Sequence, residues 1–242
     1  MRNDYLERYR ELYQQHWWWR AREKLILENL RAHEPPAGWK RILDVGCGDG
    51  LFFDRLTPLG EVDGVEPSAA FVSEHGPHRS RIYVGPFDEN FQPGKQYGLI
   101  LMLDVLEHLA DPAAALRHAL TILAPEGLLL ITVPAFNSAW TNHDRVNEHV
   151  TRYTRGTFRT VAREAGLDVL AERYFFQWLF PVKLATRLME RALRLKPQPA
   201  GVPPEWINAP LYLLSLLEQK TWGALPWPFG SSLMVWAKKP GE

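Results

Sequence analysis

Two groups of residues in this 242-residue chain have types and spacings that could do chemistry. The first is ILDVGCGDG at residues 42–50, where Asp44 is followed by glycines at 46, 48 and 50. Glycines after an apolar run let the backbone come close to a ligand. The spacing is not that of a dinucleotide loop, because Leu51 stands where the third glycine would be, and no Lys followed by Ser or Thr completes a phosphate loop. Asp44 and Asp49 flank the turn and would repel a pyrophosphate. They suit a ligand that carries positive charge. Glu66 in VDGVEPS, at the end of a second apolar run, could accept a pair of ribose hydroxyls.

The second group is NHDRVNEHVTRYT at residues 142–154. Imidazoles ordinarily titrate near neutrality, so His143 and His149 are expected to suit the role of a base that takes a proton from a hydroxyl acceptor. A helical segment would put His149 and Tyr153 on one face; the plain alternative is a polar loop tied down by its His and Arg. Asp104 and His108, in LDVLEHL, either flank a reacting group or cap a short helical turn. Cys47 is the single cysteine, so no internal disulfide forms. The acids and histidines show no ligand spacing, so no metal is expected.

These side chains must be positioned by the elements around them. From residue 40 onward, apolar runs (RILDVG, VDGVEP, RIYVGPF, YGLILMLDV, GLLLITVPA) alternate with segments read as helical or mixed (LFFDRLTPLG, SAAFVSEHG, DPAAALRHALTIL). Runs apolar on nearly every residue suit strands covered on both faces, and the alternation predicts a parallel sheet with right-handed crossovers. TFRTVAREAGL reads as a helix closed by Gly166, DVLAERYFF as a sixth strand and SSLMVWAKK as a seventh. Between those strands, residues 182–196 predict a helix with Leu184, Leu188, Ala192 and Leu195 on one side and Lys183, Arg187, Arg191 and Arg194 on the other. NAPLYLLSLLEQKTW predicts a further helix with Pro210 in its first turn, apolar nearly all round and so expected to be buried or against something greasy. Ahead of the sheet, residues 4–34 predict helix, with Tyr5, Tyr9, Leu12 and Tyr13 on one face.

The bulk properties narrow the partners. Lys and Arg number 28 and Asp and Glu 28, and this balance argues against nucleic acid. Apolar residues make up 46%, enough for a real core. No run of about 18 apolar residues exists, so no membrane span is expected, and the polar N-terminus does not read as a signal peptide. A cytoplasmic protein is expected. The aromatic entry, apolar face and basic face of residues 175–196 would allow peripheral contact with the inner membrane surface; the plain reading is a helix roofing the site.

ILDVGCGDG, VDGVEPS, LILMLDVLEHLADP and LAPEGLLLITVP, in that order over residues 40–135, resemble the class I S-adenosylmethionine-dependent methyltransferases. HVTRYTRGTFRTVAREAGL and QHWWWRAR resemble, more loosely, the bacterial small-molecule members. Tyr97-Gly98 departs from the Phe-Asp that the family often has before its fourth strand. The resemblance implies a doubly wound α/β fold with a seven-stranded, mostly parallel sheet in the order 3-2-1-4-5-7-6. It implies an N-terminal helical cap over residues 1–38 and a methyltransferase domain over 39–242, with a helical insertion at about 178–228. It implies S-adenosylmethionine as cofactor, with Asp44, Gly46, Cys47 and Gly48 around the methionine end and Glu66, followed by Pro67, at the ribose. Phe87 and Asp88 would meet the adenine, and Asp104 and His108 would lie near the methyl group. His149, His143 and Tyr153 are the candidates for catalysis, and the surplus apolar surface points to a small or lipid-linked hydrophobic acceptor. Two other readings stand beside this one. A nucleotide-cofactor oxidoreductase is opposed by the glycine spacing, and a non-catalytic S-adenosylmethionine-binding interaction domain by the intact acids and glycines.

Overall fold

The computed structural model describes residues 2–241, with side chains from residue 6 onward; the side chain of Tyr5 lies outside the described residues. Seven strands form one sheet: β1 (Arg41–Val45), β2 (Glu61–Glu66), β3 (Ile82–Val84), β4 (Tyr97–Leu103), β5 (Leu123–Pro134), β6 (Asp168–Phe175) and β7 (Ser232–Lys238). Their order is β3-β2-β1-β4-β5-β7-β6, as the family resemblance implies. The first five strands pair in parallel, and β7 runs antiparallel between β5 and β6. β4 shows why the central runs are apolar at every position. Ile100 and Met102 enter the core on one face and Leu99 and Leu101 the core on the other, all without exposure.

Among the described residues, eight α-helices surround the sheet: α1 (Arg2–Gln15), α2 (Trp17–Ala32), α3 (Phe53–Leu56), α4 (Pro112–Ile122), α5 (Asn142–Val146), α6 (Arg155–Ala165), α7 (Leu179–Ala192) and α8 (Glu205–Lys220). α4 and α6 supply Leu116, Ala119, Phe158 and Ala162 to one face; α2 supplies Trp17, Ala21, Leu25, Ile26 and Leu30 to the other. Local signals set several ends. The His16 imidazole accepts the Trp18 N–H and starts α2, Asp111 caps α4 ahead of Pro112, and Gly166 closes α6 at φ +71°.

The crossovers are thinner than their sequences suggest. LFFDRLTPLG forms α3 and one 3-10 turn, and SAAFVSEHG forms only a 3-10 turn at Ala69–Phe71. Segments of about ten residues hold helix poorly without a packed face. Gly98 departs from the family because a side chain there would run into the Trp39 carbonyl, and Trp39 is itself buried in the core.

α7 and α8 correct two expectations. α8 begins at Glu205, so Pro210 lies inside the helix rather than in its first turn. Its buried residues are Asn208, Ser215 and Glu218, whereas Trp206, Leu213 and Leu217 face out. Polar bonds explain this orientation. Asn208 accepts the Trp17 N–H and donates to the Gln15 carbonyl, Gln219 donates to the Ala21 carbonyl, and Glu218 accepts the Trp178 N–H. α7 is turned the same way. Arg187, on the basic side, donates to the Asn137 carbonyl, while Leu188 and Leu193, on or next to the apolar side, are exposed.

Candidate active site

The glycine turn hooks back on the neighbouring strand, with the Gly46 and Cys47 N–H groups donating to the Val65 carbonyl at 2.8 and 3.3 Å. Gly46, at φ +75°, adopts a conformation costly for any side chain, and a Cβ there would meet Val105 at 2.9 Å. Glu66 closes β2 with both carboxylate oxygens on backbone donors: the Gly48 N–H and the Ser68 N–H, each at 3.0 Å. Pro67 follows on the surface. Burial pushes the Glu66 pKa up, against those two amides. Burial pushes Asp44 up to about 7, with Arg22 opposing and the charge of Glu66 adding. Two desolvated acids at adjoining strand tips are anions most readily beside a cation.

Cys47 is buried under the turn with its thiol pushed up by burial, so it stays neutral. Asp49 accepts the Ser73 N–H at 2.7 Å and pairs with Arg10 of α1. Phe87 turns onto Phe91 and His118, and Asp88 accepts the Asn90 N–H within its own loop.

α1 and α2 add residues that sequence reasoning missed. The Tyr9 ring lies over the turn, 3.4 Å from where a Gly48 Cβ would be, with its edge toward Phe71. Arg22 pairs with Asp104 at 2.6 Å and donates to the Thr132 hydroxyl at 3.1 Å; its Nε is buried without a partner among the described residues. The tryptophan run divides its work. Trp17 is buried beside Phe176 and Trp178, Trp18 lies 5.3 Å from the Arg22 guanidinium, and Trp19 sits edge-on to His16. The only sequence signal for Arg22 is its position one turn beyond that run.

Asp104, just past β4 at φ +59°, does not cap the following turn; its carboxylate accepts the Thr132 hydroxyl at 3.2 Å and holds Arg22. Beyond β5, the expected helix stops at Val146, and residues 147–154 run on without helix. His149 and Tyr153 therefore share no helix face. Tyr153 bridges to Ala135 and donates its hydroxyl to the Leu106 carbonyl at 3.1 Å, buried. That is a structural bond, not a free phenol.

His149 instead pairs with Asp144. The imidazole Nδ1 lies 2.8 Å from Asp144 Oδ1, and the same carboxylate takes Arg152 Nε at 2.7 Å, Arg152 Nη2 at 3.1 Å and the Thr141 N–H at 2.8 Å. Burial would raise the Asp144 pKa, but these partners together hold it well below the usual carboxylate range. With Nδ1 engaged, Nε2 is the nitrogen left for a ligand or proton. The rings of His108 and His143 stand edge-on to His149 at 4.8 and 6.1 Å. The ring of His143 is crowded by its neighbours, and this with the charge of Lys183 pushes its pKa down. Burial and His149 push His108 down, against Asp104 and Glu148.

Glu107 is fully buried, and neither carboxylate oxygen has a partner among the described residues. Burial and the charge of Asp104 raise its pKa well above the ordinary value. Glu107, His108 and His149 each offer a ligand atom within 4.8 Å of the others, a group that could hold a cation. The fold joins residues about 40 positions apart, a grouping that local spacing does not reveal.

Residues 8–172 match a family described as "methyltransferase domain". A ubiquinone biosynthesis O-methyltransferase of Bradyrhizobium sp. (strain ORS 278) is 35% identical over 107 residues, 41% of each chain. One of Rhodopseudomonas palustris (strain HaA2) is 30% identical over the same length. The chain thus spans well under half the length of these curated relatives. Among solved structures, a TehB-like SAM-dependent methyltransferase from Corynebacterium glutamicum superposes with a TM-score of 0.56 at 19% identity, covering 99% of this chain and 98% of that one. A putative methyltransferase bound to the Haloferax volcanii Trm112 activator gives 0.58 at 16% identity, covering 99% and 96%. At these identities the structures show a shared fold.

Proposed function

The chain belongs to the class I S-adenosylmethionine-dependent methyltransferases, and from that membership we propose that it methylates a hydroxyl oxygen of a small or lipid-linked, hydrophobic acceptor. The observation that carries this reading is the gathering of Asp44, Glu66 and Asp104 at the tips of three neighbouring strands, with His108 acted on both by Asp104 and by His149, the partner of Asp144. The oxygen-methylating relatives support the choice of atom.

The residues present fit the cofactor. Each Glu66 oxygen already accepts one backbone N–H, and a carboxylate has about four acceptor sites, so one per oxygen is left for the ribose hydroxyls. The orphaned Nε of Arg22 is a buried donor suited to the carboxylate of an amino-acid end. Asp44 and Asp104 suit its ammonium and sulfonium. S-adenosylmethionine supplies a methyl group on a cationic sulfur and leaves as a neutral thioether. His149 Nε2 takes the acceptor hydroxyl's proton as the oxygen–methyl bond forms, and Asp144 holds the imidazole in orientation and stabilises its cation. The remaining requirement is alignment and exclusion of water, which Tyr9 and α7 serve as covers.

Among the described residues no helix is long and apolar enough to cross a membrane. The exposed Leu188 and Met189 of α7 and Leu193 just past its end, beside Arg191 and Arg194, support peripheral contact with a bilayer, from which a lipid-linked acceptor would enter. The zero net charge speaks against a nucleic-acid acceptor.

Glu66→Ala is the test of the cofactor seat. Losing a buried acceptor that holds both the ligand and the Gly48 N–H should weaken S-adenosylhomocysteine about ten- to hundredfold by calorimetry. Unchanged affinity would remove the ribose assignment.

A further inference from the structure

We propose that Lys183 anchors the acceptor: its ammonium binds an anionic oxygen of that molecule, a phenolate or a carboxylate. This rests on the methyltransferase reading and deepens it by naming the acceptor's chemistry.

The placement comes from α7. Lys183 shares a helix face with Phe180, Arg187 and Glu190, three, four and seven positions away. All three meet the segment that follows β5. The Phe180 ring lies 5.1 Å from that of Phe136, Arg187 donates to the Asn137 carbonyl, and Glu190 accepts the Asn142 N–H at 2.9 Å. Lys183 is thus held toward the loop carrying His143, Asp144 and His149. Its charge acts on His143 and is felt together with those of Arg152, Asp144, Asp104 and Glu190.

Each acid in that set already has a partner. Asp104 holds Arg22, Asp144 holds Arg152 and His149, and Glu190 holds the Asn142 amide. Lys183 makes no ion pair or hydrogen bond among the described residues, although it is half-buried and its neighbours shield it. Burial, with Arg152 adding to it, pushes the amine down to about 8. An unpartnered ammonium within reach of His143 and the Asp144–Arg152 pair costs stability unless something anionic joins it. Among the described residues, the acids whose charges act on Lys183 are Asp144, Asp104 and Glu190, all engaged elsewhere, so the anion is the acceptor's. An acidic hydroxyl suits the chemistry twice over, because a nearby cation also eases the proton loss that His149 must effect.

The test is a tryptophan-fluorescence titration of the full chain in saturating S-adenosylhomocysteine. Three probes are used: 4-nitrocatechol (a coloured phenolate), benzoate, and uncharged 1,2-dimethoxybenzene. Wild type should bind at least one anionic probe more tightly than dimethoxybenzene. Lys183→Met should weaken that probe about tenfold or more, and Lys183→Arg should restore most of the loss. Dimethoxybenzene and S-adenosylhomocysteine should be held as before. A loss confined to 4-nitrocatechol identifies the reacting hydroxyl as the anion, and one confined to benzoate identifies a separate acidic group; either supports the proposal. Equal loss for all three probes, no loss for either anion, or no preference of the wild type for an anion overturns it. If Lys183→Met does not fold, the wild-type preference and the Lys183→Arg titration decide. Failure of the wild type to bind S-adenosylhomocysteine defeats the methyltransferase reading itself and the inference with it.

Discussion

Replacing Asp144 by asparagine should lower the unfolding free energy by about 3–5 kcal/mol, the usual cost of breaking a buried ion pair from one side. Asp144 and Arg152 are both buried, at 0% and 2% exposure, so the guanidinium left behind cannot be rescued by water. Its Nη1 would keep only the Ala135 carbonyl, at 2.8 Å, and an amide can replace just part of what the carboxylate accepts. The Thr141 N–H that starts α5 would also lose its charged acceptor. The pH dependence has a definite sign. The folded pKa of Asp144 lies below its unfolded value of about 4, so its contribution is complete above that pH and fades as pH falls through the folded value. Urea unfolding of the two proteins at pH 7 and at pH 3 checks both parts. The wild type should lose stability on acidification more steeply than Asp144→Asn, and identical midpoints at pH 7 would show that the pair does not support the fold.

His149→Gln should reduce methyl transfer about 10²–10³-fold at neutral pH, the range for removing a general base. Glutamine keeps bulk and a polar tip but cannot accept a proton. The loss should fall on kcat, because the proposed base acts in the reacting state and, among the described residues, has no hydrogen bond to Asp44, Glu66 or the glycine turn, the proposed cofactor seat. Cofactor affinity should stay unchanged. A rate within about threefold of wild type would leave alignment alone as the source of catalysis.

Much of the frame was legible in the residues. β4 and the second half of β5 are buried on both faces, so they read as nearly unbroken apolar runs, and the glycine spacing with Asp44 and Glu66 is what argues for a cationic ligand over a phosphate. The strand order was not in the periodicity; it came with the family resemblance. What stayed hidden is long-range. Nothing near Arg22 tells that α2 lays it on Asp104, 82 positions away. Asp144 and His149 sit five positions apart, which matches no helix face, because an irregular segment rather than a helix brings them and Arg152 together. Tyr153 was misplaced for the same reason. Glu107 was masked by the apolar residues around it. Lys183 read as one of four cations on the basic side of an amphipathic helix; polar anchors at Arg187 and Glu190 turn its part of that side toward the loop after β5.

Acids at the tips of β1 and β2 embracing a sulfonium nucleoside is the premise under every role assigned above. Calorimetric titration of the wild-type chain with S-adenosylhomocysteine, and separately with NAD, tests it most directly. One saturable site for S-adenosylhomocysteine and no heat with NAD is the predicted result. Binding of NAD, or no binding of S-adenosylhomocysteine, would contradict it.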